Sequence, residues 1–252
     1  MNQTPNGGWR AVCRKAALTQ SEEEARRAWG LGADAPIPFN HRWEHVAQVA
    51  ALALRLGRAT GADLEVVEAA AWLHDVRKEE PSHGIVGAQA AAAILAATDF
   101  PPEKIAAVSD AIRQHVGLFR AEGAPPLVPL EAAVLWDADK LSKLGVQAVI
   151  ASVSGVGASG RSVDERWRYV AEFMEVVLSR TVTSMNTRPA RRMAERRYRN
   201  MLAVVSLWAR EARETGSALH MAMLPDAIGP DGEPNEELSL EISPDYAGLS
   251  EE

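Results

Sequence analysis

Four of the six histidines, His45, His74, His83 and His115, fall within about 70 residues of one another. His74 is followed at once by Asp75, and an Asp-Ala-Asp-Lys run occupies positions 137–140, with Asp139 its second carboxylate. Neutral imidazole and carboxylate are the usual donors for divalent Mn, Fe, Co, Ni or Zn. A single histidine on an apolar helix face is more often a hydrogen-bonded core residue than a ligand. The order and number of these residues point instead to a metal centre. His41, one helical turn before His45, is a further candidate, and His220 stands apart near the C-terminus.

The elements that must position these residues read as helices. Alanine is abundant and period-2 alternation is scarce. Residues 1–20 show no clear periodicity, and Ser21 with Glu24 predicts a capped short helix ending near Trp29. A strong helix is expected from Phe39 to about Arg58, with Val46, Val49, Ala50, Ala53, Leu54 and Leu56 on its apolar face and His45 one turn ahead of Val49. Gly57 and Gly61 are expected to end it. Asp63 predicts the cap of a helix through Val66, Val67, Ala70 and Leu73, delivering His74 and Asp75 at its end. Ser82 predicts a cap for the helix carrying Val86, Ala90, Ile94 and Leu95. Pro101-Pro102 opens another helix, with His115 near its end. A further helix carries Val134, Leu135 and the 137–140 run. Small residues over 151–161 predict a mobile loop. Ser162 with Glu165 reads as a capping box, and a last helix is expected from about Pro189 to Glu214, ending at Gly216.

Bulk properties narrow the function classes. The 252 residues are 47% hydrophobic and 24% charged, ordinary for a globular protein. No apolar run approaches the roughly 18 residues that span a bilayer. No positive cluster followed by an apolar core opens the chain, so no secretory signal is expected. One cysteine, Cys13, excludes an internal disulfide framework. A cytoplasmic location is the expectation. The net charge of −7 resides in residues 217–252, which hold nine acids and no Lys or Arg, leaving the rest at +2. The main body therefore does not repel a phosphate-bearing substrate.

Arg42-Trp43-Glu44-His45, then His74-Asp75, then Asp137-Ala138-Asp139-Lys140-Leu141 together resemble the H…HD…D signature of the HD-domain phosphohydrolase superfamily. The resemblance covers roughly residues 39–145 and extends weakly to 215. It implies an all-α fold, an HD-domain helical bundle with a C-terminal helical extension. The expected organisation is an extension over 1–38, the HD-type domain with its C-terminal helices over 39–216, and an acidic flexible tail over 217–252. The resemblance also implies the ligands. His45, His74, Asp75 and Asp139 match those of a primary metal, with Asp139 preferred to Asp137. His83 and His115 look like the extra histidines of two-metal members, with Asp75 bridging, so Asp75, His83 and His115 are expected to carry catalysis. Arg42 and Lys140 match positions that contact substrate phosphate. Ser142 departs from the aspartate that many relatives have there.

The implied activity is hydrolysis of a phosphate ester, a nucleotide or related small molecule, with one or two divalent transition metal ions (Mn, Fe, Co, Ni or Zn) as cofactors. Two rivals stand beside it, a di-iron oxygenase of the same superfamily and a nucleotide-binding regulatory module without turnover. Glu44, Lys78 and Glu79 are expected around the pocket, with Trp43 as a candidate wall. Arg188, Arg191, Arg192, Arg196, Arg197 and Arg199 crowd one helix, but with no aromatic interleaving beyond Tyr198 they read as a solvated face rather than a nucleic-acid surface. No membrane partner is expected, and self-association stays open.

Overall fold

The computed structural model describes residues 8–214, and among these every regular element is helical. The order is α1 (Trp9–Trp29), α2 (His41–Thr60), α3 (Leu64–Leu73), α4 (His83–Ala96), α5 (Ile105–Gln114), α6 (Leu130–Ser142), α7 (Val146–Ser154), α8 (Val163–Phe173), α9 (Ser179–Thr183) and α10 (Arg188–Glu214). The acidic segment 217–252, His220 and the expected stop at Gly216 lie outside the described residues.

The chain divides into two compact units. The first holds the described chain up to Val116, with Pro125–Ser142 and Asn186–Ala190. The second holds Gly117–Ala124, Lys143–Met185 and the described chain from Arg191. In the first unit α2 packs against α1, α3 and α6, and α5 against α3, α4 and α6. Helix α6 is its centre, because every residue from Ala132 to Ser142 is buried. A helix apolar on nearly all sides is a core helix, and Trp136→Ala there would cost about 3–5 kcal/mol.

Several local expectations need correcting. Helix α1 starts at Trp9, not Ser21. Its buried stripe is Trp9, Cys13, Ala17, Ser21, Glu24 and Ala25, a helical spacing hidden from a hydrophobicity reading because Ser21 and Glu24 are polar. Ser21 is no cap; its hydroxyl donates to the Leu18 carbonyl at 2.8 Å within the helix. Gly57 lies inside α2, where a Cβ would meet Leu64 Cδ2 at 2.9 Å and Val67 Cγ2 at 3.2 Å. Glycine there permits the close approach of α3, and only Gly61, at φ 82°, ends the helix. Asp63 does cap α3, accepting from the Glu65 and Val66 amides. Ser82 precedes α4 but makes no side-chain cap and has a positive φ of 56°. Residues 151–154 belong to α7 rather than to a loop.

In the second unit Ser162 and Glu165 form the expected capping box of α8. A π-turn over Met174–Leu178 joins α8 to α9. The Trp167 and Trp208 rings lie 4.9 Å apart, and the Tyr198 hydroxyl donates to the Met174 carbonyl at 3.2 Å.

Candidate metal centre

Helix α2 supplies His45 from its buried face, and α3 stops just before His74. Beyond α3 the chain turns repeatedly, with the Lys78 amide donating to the Asp75 carbonyl at 3.1 Å. His83 is the first residue of α4, His115 follows α5, and α6 presents Asp139. All lie in the first unit.

The structure gathers these six residues into two sets. His45, His74 and Asp139 offer donor atoms within 4.8 Å of one another, and so do Asp75, His83 and His115. Asp75 touches both. Its Oδ2 lies 3.5 Å from the Nε2 of both His45 and His74, and its Oδ1 lies 3.4 Å from His115 Nε2.

The backs of three imidazoles decide which nitrogen faces inward. His74 Nδ1 lies 2.8 Å from the Ala71 carbonyl and His115 Nδ1 lies 2.6 Å from that of Ile112. A carbonyl only accepts, so each Nδ1 carries the proton and each Nε2 turns a lone pair to the site. Ser142 Oγ donates to the Asp139 carbonyl at 2.6 Å, so it accepts from His45 Nδ1 at 2.9 Å. In a neutral His45, Nε2 is then also a lone pair, 3.2 Å from that of His74. Two lone pairs facing each other at that distance call for a cation between them. Asp75 Oδ1 and His115 Nε2 are buried and make no hydrogen bond, and a cation would satisfy both. The residues present therefore fit divalent metal binding.

The protonation states agree with that fit. Burial pulls the His74 imidazole down to about 4, so it is neutral at pH 7. His83 is also held near 4, by burial and then by the Lys78 ammonium. Burial pushes the Asp75 carboxyl up, but His74, His115 and His45 in their protonated forms, with Lys78, outweigh it and hold it well below its usual value.

Cations ring the acids. Arg42 donates from Nη1 to Asp75 Oδ2 at 2.8 Å and from Nε to Glu24 Oε2 at 2.9 Å. Lys78 Nζ lies 3.4 Å from Asp75 Oδ1 and 3.2 Å from His83 Nε2. Lys140 Nζ is buried, donating to the His115 carbonyl at 2.9 Å and to Asp139. Asp137 points elsewhere. It accepts from the amides of Asn186 and Thr187 and from Asn186 Nδ2, and burial raises its pKa against those bonds. His41 and Glu44 are exposed, and Glu79 pairs with Arg27 at 2.5 Å, so these three join neither set. Trp43 stacks on Trp72 with 5.9 Å between rings.

Residues 42–144 match the HD domain family. This segment is an HD domain. Around it, the chain is 29% identical over 187 residues to YpgQ of Bacillus subtilis, covering 73% of this chain and 90% of YpgQ. A crystal structure of YpgQ in complex with ADP superposes with a TM-score of 0.51 at 23% identity, covering 78% of this chain and 96% of that one. An HD-superfamily hydrolase from Bacillus thuringiensis gives 0.55 at 22%, over 79% and 98%. A Lactobacillus plantarum protein gives 0.57 at 23%, over 82% and 97%. These neighbours share the all-α fold. The HD domain match begins at Arg42, so Glu24 and the rest of α1 lie outside it.

Proposed function

We propose that this chain is a metal-dependent phosphohydrolase acting on a phosphate ester, most readily that of a nucleotide. The observation that carries the reading is the division of Asp75, with one carboxylate oxygen toward His45 and His74 and the other toward His115. In this reading His45, His74, Asp75 and Asp139 hold one ion, and Asp75, His83 and His115 hold a second. Divalent ions held there supply a water whose pKa is lowered toward about 7 and Lewis-acid polarisation of a phosphoryl oxygen.

The chain's own groups perform the rest. His45, His74 and His115 keep Nε2 deprotonated because Ser142 and two backbone carbonyls hold their Nδ1 protons. Arg42 and Lys78, with side chains 28% and 34% exposed, present cationic groups to a substrate phosphate. Lys140, with its side chain only 2% exposed, acts on that phosphate as a charge from behind Asp139 rather than by contact. A nucleotide substrate is supported by the ADP in the YpgQ complex.

The test is elemental analysis of protein purified without chelator, then turnover of a nucleotide and phosphoester panel with Mn, Fe, Co or Ni. Bound metal and metal-dependent release of phosphate or pyrophosphate are expected. Absence of both removes the reading, and oxygen consumption with Fe(II) alone replaces it by oxygenase chemistry.

A further inference from the structure

We infer that Glu24 is a positioning residue, which acts through Arg42 to fix the orientation of Asp75. The inference rests on the metal centre proposed above. Glu24 sits on the buried stripe of α1 and is only 5% exposed. A carboxylate on a face that otherwise buries Trp9, Cys13 and Ala17 is costly to desolvate, and packing alone would favour an apolar residue there. Both its oxygens are engaged. Oε2 accepts from Arg42 Nε at 2.9 Å, and Oε1 accepts from Gln20 Nε2 at 3.3 Å.

The guanidinium is a rigid planar fork. Holding Nε therefore fixes where Nη1 points, and Nη1 points at Asp75 Oδ2, 2.8 Å away. That oxygen is the one shared between His45 and His74. Asp75 Oδ1 makes no hydrogen bond; the Lys78 ammonium meets it only as an ion pair at 3.4 Å from a side chain 34% exposed, so the shorter, directional hold on the carboxylate is the Arg42 fork. Released from Glu24, Arg42 regains the rotamer freedom of its long stem, and Asp75 can rotate about its terminal torsion. The two oxygens then no longer keep separate assignments. A helix outside the HD domain match thus completes the orientation of the most central acid within it.

The experiment is calorimetric titration of the full chain with Mn2+ or Co2+, with melting in chelator as the control. Glu24→Gln keeps the shape and removes the charge. It should lower divalent-ion affinity by about tenfold, the lower range for losing a partner behind a ligand, while the metal-free melting temperature holds. In an Arg42→Gln background the same change should add nothing, because its route through Arg42 is already cut. Wild-type affinity in Glu24→Gln overturns the relay, as does an equal loss in the Arg42→Gln background. So does a loss matched by lowered metal-free stability, which marks a packing role. A wild-type chain that takes up no divalent ion removes the metal centre itself and the relay with it; metal uptake unaffected by Glu24→Gln removes the relay alone.

Discussion

The His45–His74–Asp139 set and the Asp75–His83–His115 set use the same residue types but are held in different ways. In the first, all three residues are buried, His45 is backed by Ser142, His74 by the Ala71 carbonyl, and Asp139 by Lys140. In the second, His115 is backed by the Ile112 carbonyl, but His83 is only half-buried. It opens α4 just after the positive-φ Ser82 and has the Lys78 ammonium as neighbour. A ligand locked from behind loses little freedom on binding an ion, whereas one at a helix start beside a cation loses more and meets repulsion. On the proposed two-ion reading, the first set would retain its ion and the second would exchange one.

Asp75 belongs to the second set and touches the first, so Asp75→Asn should break the comparison most completely. Loss of several kcal/mol of transition-state stabilisation gives a fall on the order of 10²–10³-fold in turnover. Steady-state kinetics with saturating metal measures it, and near-wild-type turnover would deny Asp75 its shared position. Next, His45→Gln and His83→Gln should separate the sets. His83→Gln should retain one tightly held ion per chain after dialysis, and His45→Gln should retain none; metal analysis showing the reverse would invert the assignment of tight and exchangeable ions.

Smaller effects sharpen the contrast. Ser142→Ala removes the acceptor behind His45 Nδ1. It should weaken the tighter ion about tenfold while leaving the weaker one unchanged, as read from two-site titration. Equal weakening of both would mean that Ser142 supports the fold rather than one set. The mildest expectation concerns pH in chelator. His74 and His83 are held near 4 in the folded chain against 6.5 ordinarily. Between those values the unfolded chain binds more protons, so stability falls as pH drops from 6.5 toward 4. The depressed Asp75 carboxyl adds its loss only as pH falls below about 3.8. Urea melts of the wild type and His74→Gln across that range check this; the variant should show the shallower fall, and parallel curves would place the proton uptake elsewhere.

The all-α fold was legible because α2, α3 and α6 carry unbroken apolar periodicity and Asp63 caps where its residue type suggests. Helix α1 was not, because two of its buried positions are Ser21 and Glu24, and hydrophobic patterning has no means of marking a buried ion pair. The positions of His45, His74 and Asp139 followed from spacing and resemblance. Their supporting contacts did not, since Ser142 was visible only as a departure from an expected aspartate and Ala71 and Ile112 contribute backbone carbonyls that any residue would provide. The one available cue to Lys78 was its place three residues after Asp75, and that spacing means contact only when the chain turns as it does here. Asp137 and Asp139 are two apart on a helix and so face different ways, which separates a carboxylate bound to Asn186 and Thr187 from one facing the histidines.

Helix α4 meets α5 through Gly84, where a Cβ would come within 2.6 Å of Val116 Cγ2 and 3.2 Å of the Arg113 carbonyl. His83 is the next residue along, its ring centre 5.3 Å from that of His115. The gap across which those two imidazoles face each other is therefore a machining tolerance of the helix pair, set by a missing methyl group. A single added carbon at position 84 would act as a shim, widening that gap while every donor atom kept its chemistry.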